Sequence, residues 1–266
     1  LAPRIGSVPF LVGRPLVEPL AGHEEVLLEV PSLLIERLRR GELDVALAST
    51  IELFRTPGTA CVRGPGIVAA ERVMSVQLFS RVPFEEIRSL AWDPASRTGQ
   101  ALSHILLSER ERPACRFLPL AVGEDPARAE ADAFLQIGDA ALRYTLGATP
   151  LPRGVRWNYD LATLWRERTG LPFVFAVWVV RPGAELGDLP QRLRAARDRG
   201  VERLESLVQR AARELALPVD GVRDYLTRAC SWDLDAPGVL DGLRLFGAKA
   251  AEHGLVPVRA ELELIG

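Results

Sequence analysis

The sequence predicts an α/β protein of two lobes, and three observations predict it. Two successive series of short apolar strands and helical segments fill the first two thirds of the chain. The β-rich run "PFVFAVWVV" closes the second series, and from about Pro190 the pattern turns helical. Parallel strands need crossover segments and bury both sheet faces, so near-continuous apolar runs between helices belong together. A chain of 266 residues can bury one large core or two smaller ones.

The elements follow in order. "RIGSV" reads as a strand that runs into "PFLVGRPL", where Pro9, Gly13 and Pro15 stiffen a nearly uncharged loop. Loop tips are usually polar, so an apolar loop beside a strand end reads as a pocket wall. "VLLEVP" is a second strand. "SLLIERLRRGEL" is a helix on the spacing of Leu33, Leu34 and Leu38, with Ser32 as the expected N-cap and Gly41 as the stop. "DVALAS" and "GIVAA" are buried-type strands, with "GPG" (Gly64 to Gly66) read as a turn, and "SVQLFS" follows at once. The second series runs through the strand "SLAWD", the helix "PASRTGQALSHILLSER", the strand "CRFLPL", the strand "AFLQIG" and the helix "DAALRYTL". The amphipathic helix "YDLATLWRERTG" precedes "PFVFAVWVV", and three helical segments make the tail.

Composition narrows the function. The net charge of -2 gives no basic footprint for nucleic acid. Cys61, Cys115 and Cys230 lie far apart without a CxxC pair, which argues against a disulfide framework and against zinc. His23, His104 and His253 are dispersed, and His104 reads as a packed or rim histidine. No apolar run approaches the ~20 residues that span a bilayer, and no secretory signal pattern opens the chain, so a cytoplasmic location is expected. Walker A and GxSxG motifs are absent.

Ligands of open α/β sheets sit beyond the carboxyl ends of strands. That rule selects Ser7 to Val12, Ser49 with Thr50, Pro94 to Gly99, and Gly138 with Asp139. In "DPASRTG", Ser96, Arg97 and Thr98 open a helix whose unpaired N–H groups suit a carboxylate or phosphate; the competing reading is that a hydroxyl merely caps the helix. "STIE" repeats the arrangement in the first lobe, so two such sites suit a ligand with two anionic ends. Gly138 permits close backbone approach, and Asp139 is either a helix cap or a carboxylate that moves a proton.

Several segments together resemble one family. "RIGSVPFLxxRPL", "LDVALASTIE", "SVQLFSR", "DPASRTGQAL", "IGDAAL" and above all "YDLATLWRERTGLPFVFAVW" occur in the order found in the chorismate dehydratases of the futalosine route to menaquinone. The resemblance implies a type II periplasmic-binding-protein fold, with two lobes, two crossing strands and a cleft between them. It implies residues 1–73 with 174–266 as the first lobe and 74–173 as the second. It implies loss of water from chorismate to give 3-[(1-carboxyvinyl)oxy]benzoate, without a metal or redox cofactor. On that reading Ser96, Arg97 and Thr98 hold one carboxylate, and Ser49 and Thr50 meet the other. Ser75 or Ser80 donates to the leaving oxygen, with Ser75 preferred as nearer the hinge. The base is Asp139 or the substrate's own side-chain carboxylate. One position departs from the pattern: Val12 stands where the family usually has Asn. Ser7 or a neighbour then compensates, or the protein is slow, or it takes another ligand. The alternatives to a dehydratase are a non-catalytic binding protein or sensor for a small carboxylate on the same fold, and the related naphthoate synthase step.

Overall fold

The computed structural model describes residues 2–108, 114–121, 123–257 and 262–266. Twelve strands are present among them: β1 (Ile5–Ser7), β2 (Val26–Leu28), β3 (Val45–Ser49), β4 (Ala60–Ala69), β5 (Val76–Ser80), β6 (Ser89–Trp92), β7 (Arg116–Pro119), β8 (Ala133–Ile137), β9 (Trp157–Asp160), β10 (Phe173–Val180), β11 (Cys230–Asp233) and β12 (Glu263–Ile265). The helices are α1 (Arg14–Val17), α2 (Pro31–Arg39), α3 (Glu52–Arg55), α4 (Arg97–Leu107), α5 (Gly138–Thr145), α6 (Leu161–Thr169), α7 (Leu189–Glu202), α8 (Leu204–Glu214), α9 (Val219–Asp224) and α10 (Val239–Glu252).

Two sheets divide the strands. The larger has the order β11-β4-β10-β3-β1-β2, with β12 added on β4, and the smaller has the order β7-β6-β8-β5-β9. β1 pairs in parallel with β2 and β3, and β6 pairs in parallel with β7 and β8. β10 runs antiparallel through the larger sheet between β3 and β4, and β5 antiparallel through the smaller between β8 and β9. This is the two-lobed α/β architecture with a periplasmic-binding-protein-like plan. Every residue of β10 is buried, and Phe173 sits edge-on against Trp165 at 5.3 Å and Phe246 at 5.0 Å between ring centroids. Such pairs add to the burial of their area.

The chain first crosses between sheets at residues 70–75 and returns through α6 and the turn that follows it. Asp160 holds the outward crossing. Its carboxylate caps α6 by accepting from Ala162 and Thr163 N–H, and accepts from Val73 N–H at 3.0 Å, Met74 N–H at 2.7 Å and Gln77 Nε2 at 2.6 Å. Met74 consequently takes φ of 58°, a left-handed conformation that costs a non-glycine residue about 1–2 kcal/mol. The return follows α6, which ends on Gly170 at φ of 70°, where glycine carries no side-chain penalty.

Some local expectations change. Ser32 lies inside α2 rather than capping it; Val30 occupies the cap, and Pro31 starts the helix, where a missing N–H costs nothing. "GPG" is no turn, because β4 runs straight through it with register shifts against both neighbours. Tyr159 and Asp160, expected to open the helix, end the strand β9 instead, and the helical tail contributes β11 and β12. Glu109 and Arg110, the expected end of the α4 helix, lie outside the described residues. His104 and His253 come together, edge to face at 5.8 Å, with His104 stacked on Phe117. No helix among the described residues is long and apolar enough to cross a membrane.

Candidate functional site

The carboxyl ends of β1, β3 and β8 and the entry to α4 converge on one hollow between the two sheets. Its enclosed volume is about 80 Å³, which grows to about 570 Å³ when the open mouth is counted. Phe10, Val12, Ile67, Val76, Phe175 and Ile137 make its apolar wall. The polar lining comes from Ser49, Ser75, Ser96, Arg97 and Thr98.

α4 supplies the strongest recognition element. Ser96 sits at the cap position, yet its side chain caps nothing. Its Oγ is buried and has no hydrogen-bond partner among the described residues. A buried hydroxyl without a partner costs about 1–3 kcal/mol unless a ligand or water meets it. Gly99 keeps that space open, since a Cβ there would lie 2.7 Å from Ser96 Oγ. Thr98 Oγ1 accepts from Ile51 N–H at 3.3 Å, which leaves its own O–H free to donate into the hollow. The first-turn N–H groups of an eleven-residue helix add a partial positive charge. The capping reading of Ser96 is thereby set aside.

Arg97 carries the only guanidinium of the lining. Its Nε donates to Glu52 Oε1 at 2.5 Å, and the same carboxylate takes Arg39 at 3.1 Å and Arg55 at 3.0 Å. Glu52 is 2% exposed. Three guanidiniums around one carboxylate leave an excess of positive charge beside the hollow, which favours an anion. Burial lowers the Arg55 pKa, and Glu52 opposes that shift. Glu52 escaped the sequence reading; its signal was one carboxylate inside the otherwise apolar "TIELF".

The hollow gathers seven of the expected site residues: Val12, Ser49, Ser75, Ser96, Arg97, Thr98 and Gly138. Four others lie elsewhere. Ser7 is buried in β1, where its Oγ donates to Val8 C=O at 3.3 Å. Thr50 is fully buried, with its hydroxyl unpartnered among the described residues and its N–H donating to Phe175 C=O. Ser80 closes the far end of β5, about 16 Å along the strand from Ser75 by the rise per residue, and donates to Val82 C=O at 2.6 Å. Asp139 lies outside the lining, with Oδ1 accepting from Leu11 N–H at 3.0 Å across the cleft. That bond ties α5 to the loop after β1. Burial raises its pKa, against the opposing Leu11 hydrogen bond and Arg14. Gly138 has φ of 65°, and a Cβ there would meet the Phe10 ring at 2.7 Å, so glycine lets the aromatic wall close. Phe175 is a wall residue, whereas Trp178, three residues on, is core.

Val12 is fixed by its backbone, whose C=O accepts from Trp232 Nε1 at 2.8 Å, while the residue itself lines the hollow. Asn at this position puts an amide where only methyl groups now stand. One added hydrogen bond to ligand is worth about 0.5–1.5 kcal/mol, so Val12→Asn is expected to strengthen binding of the chorismate that the sequence resemblance implies about 2- to 10-fold by calorimetry. An unchanged affinity shows that the side chain does not reach the ligand. Among the described residues no three His, Cys, Asp or Glu side chains group to hold a metal ion.

Comparison with known proteins agrees with this geometry. The model of the family described as menaquinone biosynthesis matches residues 3–252. The chain is 31% identical over 268 residues to the chorismate dehydratase of Thermus thermophilus, covering 90% of this chain and 94% of that protein. It is 30% identical over 167 residues to the chorismate dehydratase of Campylobacter jejuni, covering 63% of this chain and 58% of that one. A solved protein from Archaeoglobus fulgidus superposes with a TM-score of 0.69 at 13% identity, covering 96% of this chain and 98% of that one. The alkanesulfonate-binding protein of Xanthomonas axonopodis bound to MOPS gives a TM-score of 0.65 at 16% identity, covering 97% and 95%. At such identities the structural likenesses carry the fold alone.

Proposed function

This chain belongs to the menaquinone-biosynthesis family, and we propose that it is a chorismate dehydratase, a carbon–oxygen lyase working in the hollow between its lobes. The observation that carries the reading is the buried, unpartnered Ser96 hydroxyl at the start of α4, inside a hollow whose one guanidinium comes from Arg97. The division into residues 1–73 with 174–266 and residues 74–173 is part of the proposal. It is supported by the strands of the larger sheet falling outside 74–173, save Phe173 at the start of β10, and those of the smaller within it. A cytoplasmic location belongs to the same reading.

Chorismate is a dianion with a ring hydroxyl, and its dehydration makes the ring aromatic. The enzyme's work is to fix the dianion, align the proton with its acceptor and help the hydroxyl depart. Ser96, Thr98 and the first-turn N–H groups of α4 hold one carboxylate, with Arg97 beside them. Ser49, at the end of β3, faces the other. Ser75 lines the hollow next to the crossing and donates to the departing oxygen. The apolar wall excludes water and strengthens these few polar contacts. Asp139 Oδ1 is engaged by Leu11 N–H, which weakens it as the base and supports the substrate's own side-chain carboxylate as proton acceptor.

Purified protein is incubated with chorismate, and the loss of chorismate and gain of 3-[(1-carboxyvinyl)oxy]benzoate are followed by liquid chromatography. Turnover supports the proposal; tight binding without turnover replaces it with a receptor for small carboxylates. Asp139→Asn tests the base. The amide oxygen still accepts from Leu11, so turnover stays within about 3-fold of wild type, well short of the ~100-fold loss that removing a general base brings. Stability moves in a defined direction too. Because the folded Asp139 binds its proton more tightly than the unfolded chain does, its contribution to stability falls as pH rises from the ordinary carboxylate range through the raised value. Asp139→Asn removes that fall, so above it the variant unfolds at an equal or higher temperature. Abolished turnover with intact binding returns Asp139 to the role of base.

A further inference from the structure

Tyr225 reaches the hollow's wall from the C-terminal tail. It is fully buried at the start of a π-helical turn, Tyr225–Ala229, that follows α9. Single π turns commonly mark functional positions because they re-aim a side chain. The Tyr225 hydroxyl donates to Ser75 Oγ at 2.8 Å. Ser75 is 2% exposed, lines the hollow and has no other side-chain hydrogen bond among the described residues. Its backbone is fixed as well, since its N–H donates to Val73 C=O at 2.6 Å and its C=O accepts from Gly138 N–H at 2.8 Å. Burial raises the Tyr225 phenol far above the usual tyrosine range, so it remains a proton donor, and Cys230 beside it is raised by burial in the same way.

We propose that Tyr225 is a positioning residue for dehydration: its hydroxyl occupies one acceptor lone pair of Ser75 Oγ and so biases the Ser75 O–H toward the hydroxyl that leaves chorismate. A free serine hydroxyl rotates among several directions. Donation from Tyr225 removes the direction that points back at the phenol, and donation into the serine oxygen makes its own proton a stronger donor. Tyr225 touches no substrate and acts through Ser75. The inference rests on the reading of the hollow as the chorismate site.

The test uses Tyr225→Phe, Ser75→Ala and the double variant on the full chain. Tyr225→Phe keeps the ring and removes one oxygen; kcat falls about 10- to 50-fold while KM stays within about 3-fold. Ser75→Ala falls further, about 100-fold, and the double variant matches Ser75→Ala within about 2-fold, because a residue that acts only through Ser75 adds nothing once Ser75 is gone. The second readout is calorimetric affinity for the product, which lacks the departed hydroxyl; it is unchanged in Tyr225→Phe. Multiplying losses in the double variant, a near-normal kcat in Tyr225→Phe, or loss of product affinity each overturn the proposal, the last by assigning Tyr225 to packing. Wild-type protein that neither turns over nor binds chorismate overturns the functional reading and this inference together, whereas an active wild type with multiplying losses overturns the inference alone.

Discussion

Glu52→Ala lowers the unfolding free energy by about 3 kcal/mol, the low end of the cost of removing one partner from a buried ion pair, because Arg39 is half exposed and keeps some water. The carboxylate is 2% exposed and gathers Arg39, Arg55 and Arg97. Without it three guanidiniums face one another at the rim of the hollow, and Arg97 loses the contact that holds its fork. Glu52→Gln retains an acceptor but not the charge, so its loss lies between wild type and Glu52→Ala. Urea unfolding at neutral pH, followed by tryptophan fluorescence, reads both variants. A Glu52→Ala midpoint equal to wild type contradicts the assignment of Glu52 as the centre of this cluster.

Ser96→Ala with Thr98→Val raises the chorismate dissociation constant about 100-fold or more, since each hydrogen bond to a charged group contributes about 1.5–3 kcal/mol. The single variant Ser96→Ala separates a ligand contact from a helix cap. Removing a capping serine lowers stability by about 1 kcal/mol. Removing a buried hydroxyl that has no partner relieves a cost, so the free protein is expected to melt at the same or a higher temperature while its affinity drops about 10-fold or more. Lower affinity together with lower stability returns Ser96 to the capping role. Calorimetry for binding and differential scanning for melting give the two numbers on the same preparation.

Much of this site was legible before any coordinates. Helix starts and strand ends are local features, so "DPASRTG", "STIE" and "IGDAAL" pointed to Ser96, Thr98, Ser49 and Gly138. The rule that ligands sit beyond strand carboxyl ends then placed them in one cleft. What local reading misses is direction across the fold. Ser75 and Ser80 occupy opposite ends of β5, one at the hollow and one against Val82. Asp139 follows the right strand, but its carboxylate turns to Leu11, a partner 128 residues away. Glu52, Tyr225 and Asp160 act through contacts between distant segments, for which a sequence has no period or spacing. Asp160 was hidden further because it ends the strand β9, where the sequence reading had Tyr159 and Asp160 open the helix.

The crowding of arginines at Glu52 has one more consequence. Two of its partners, Arg39 and Arg55, come from the same side of the cleft as Glu52 itself, and only Arg97 comes from across it. A separation of the two sheets would break only the bond to Arg97 and leave the carboxylate both of its home companions, so no bare negative charge would be stranded in the interior.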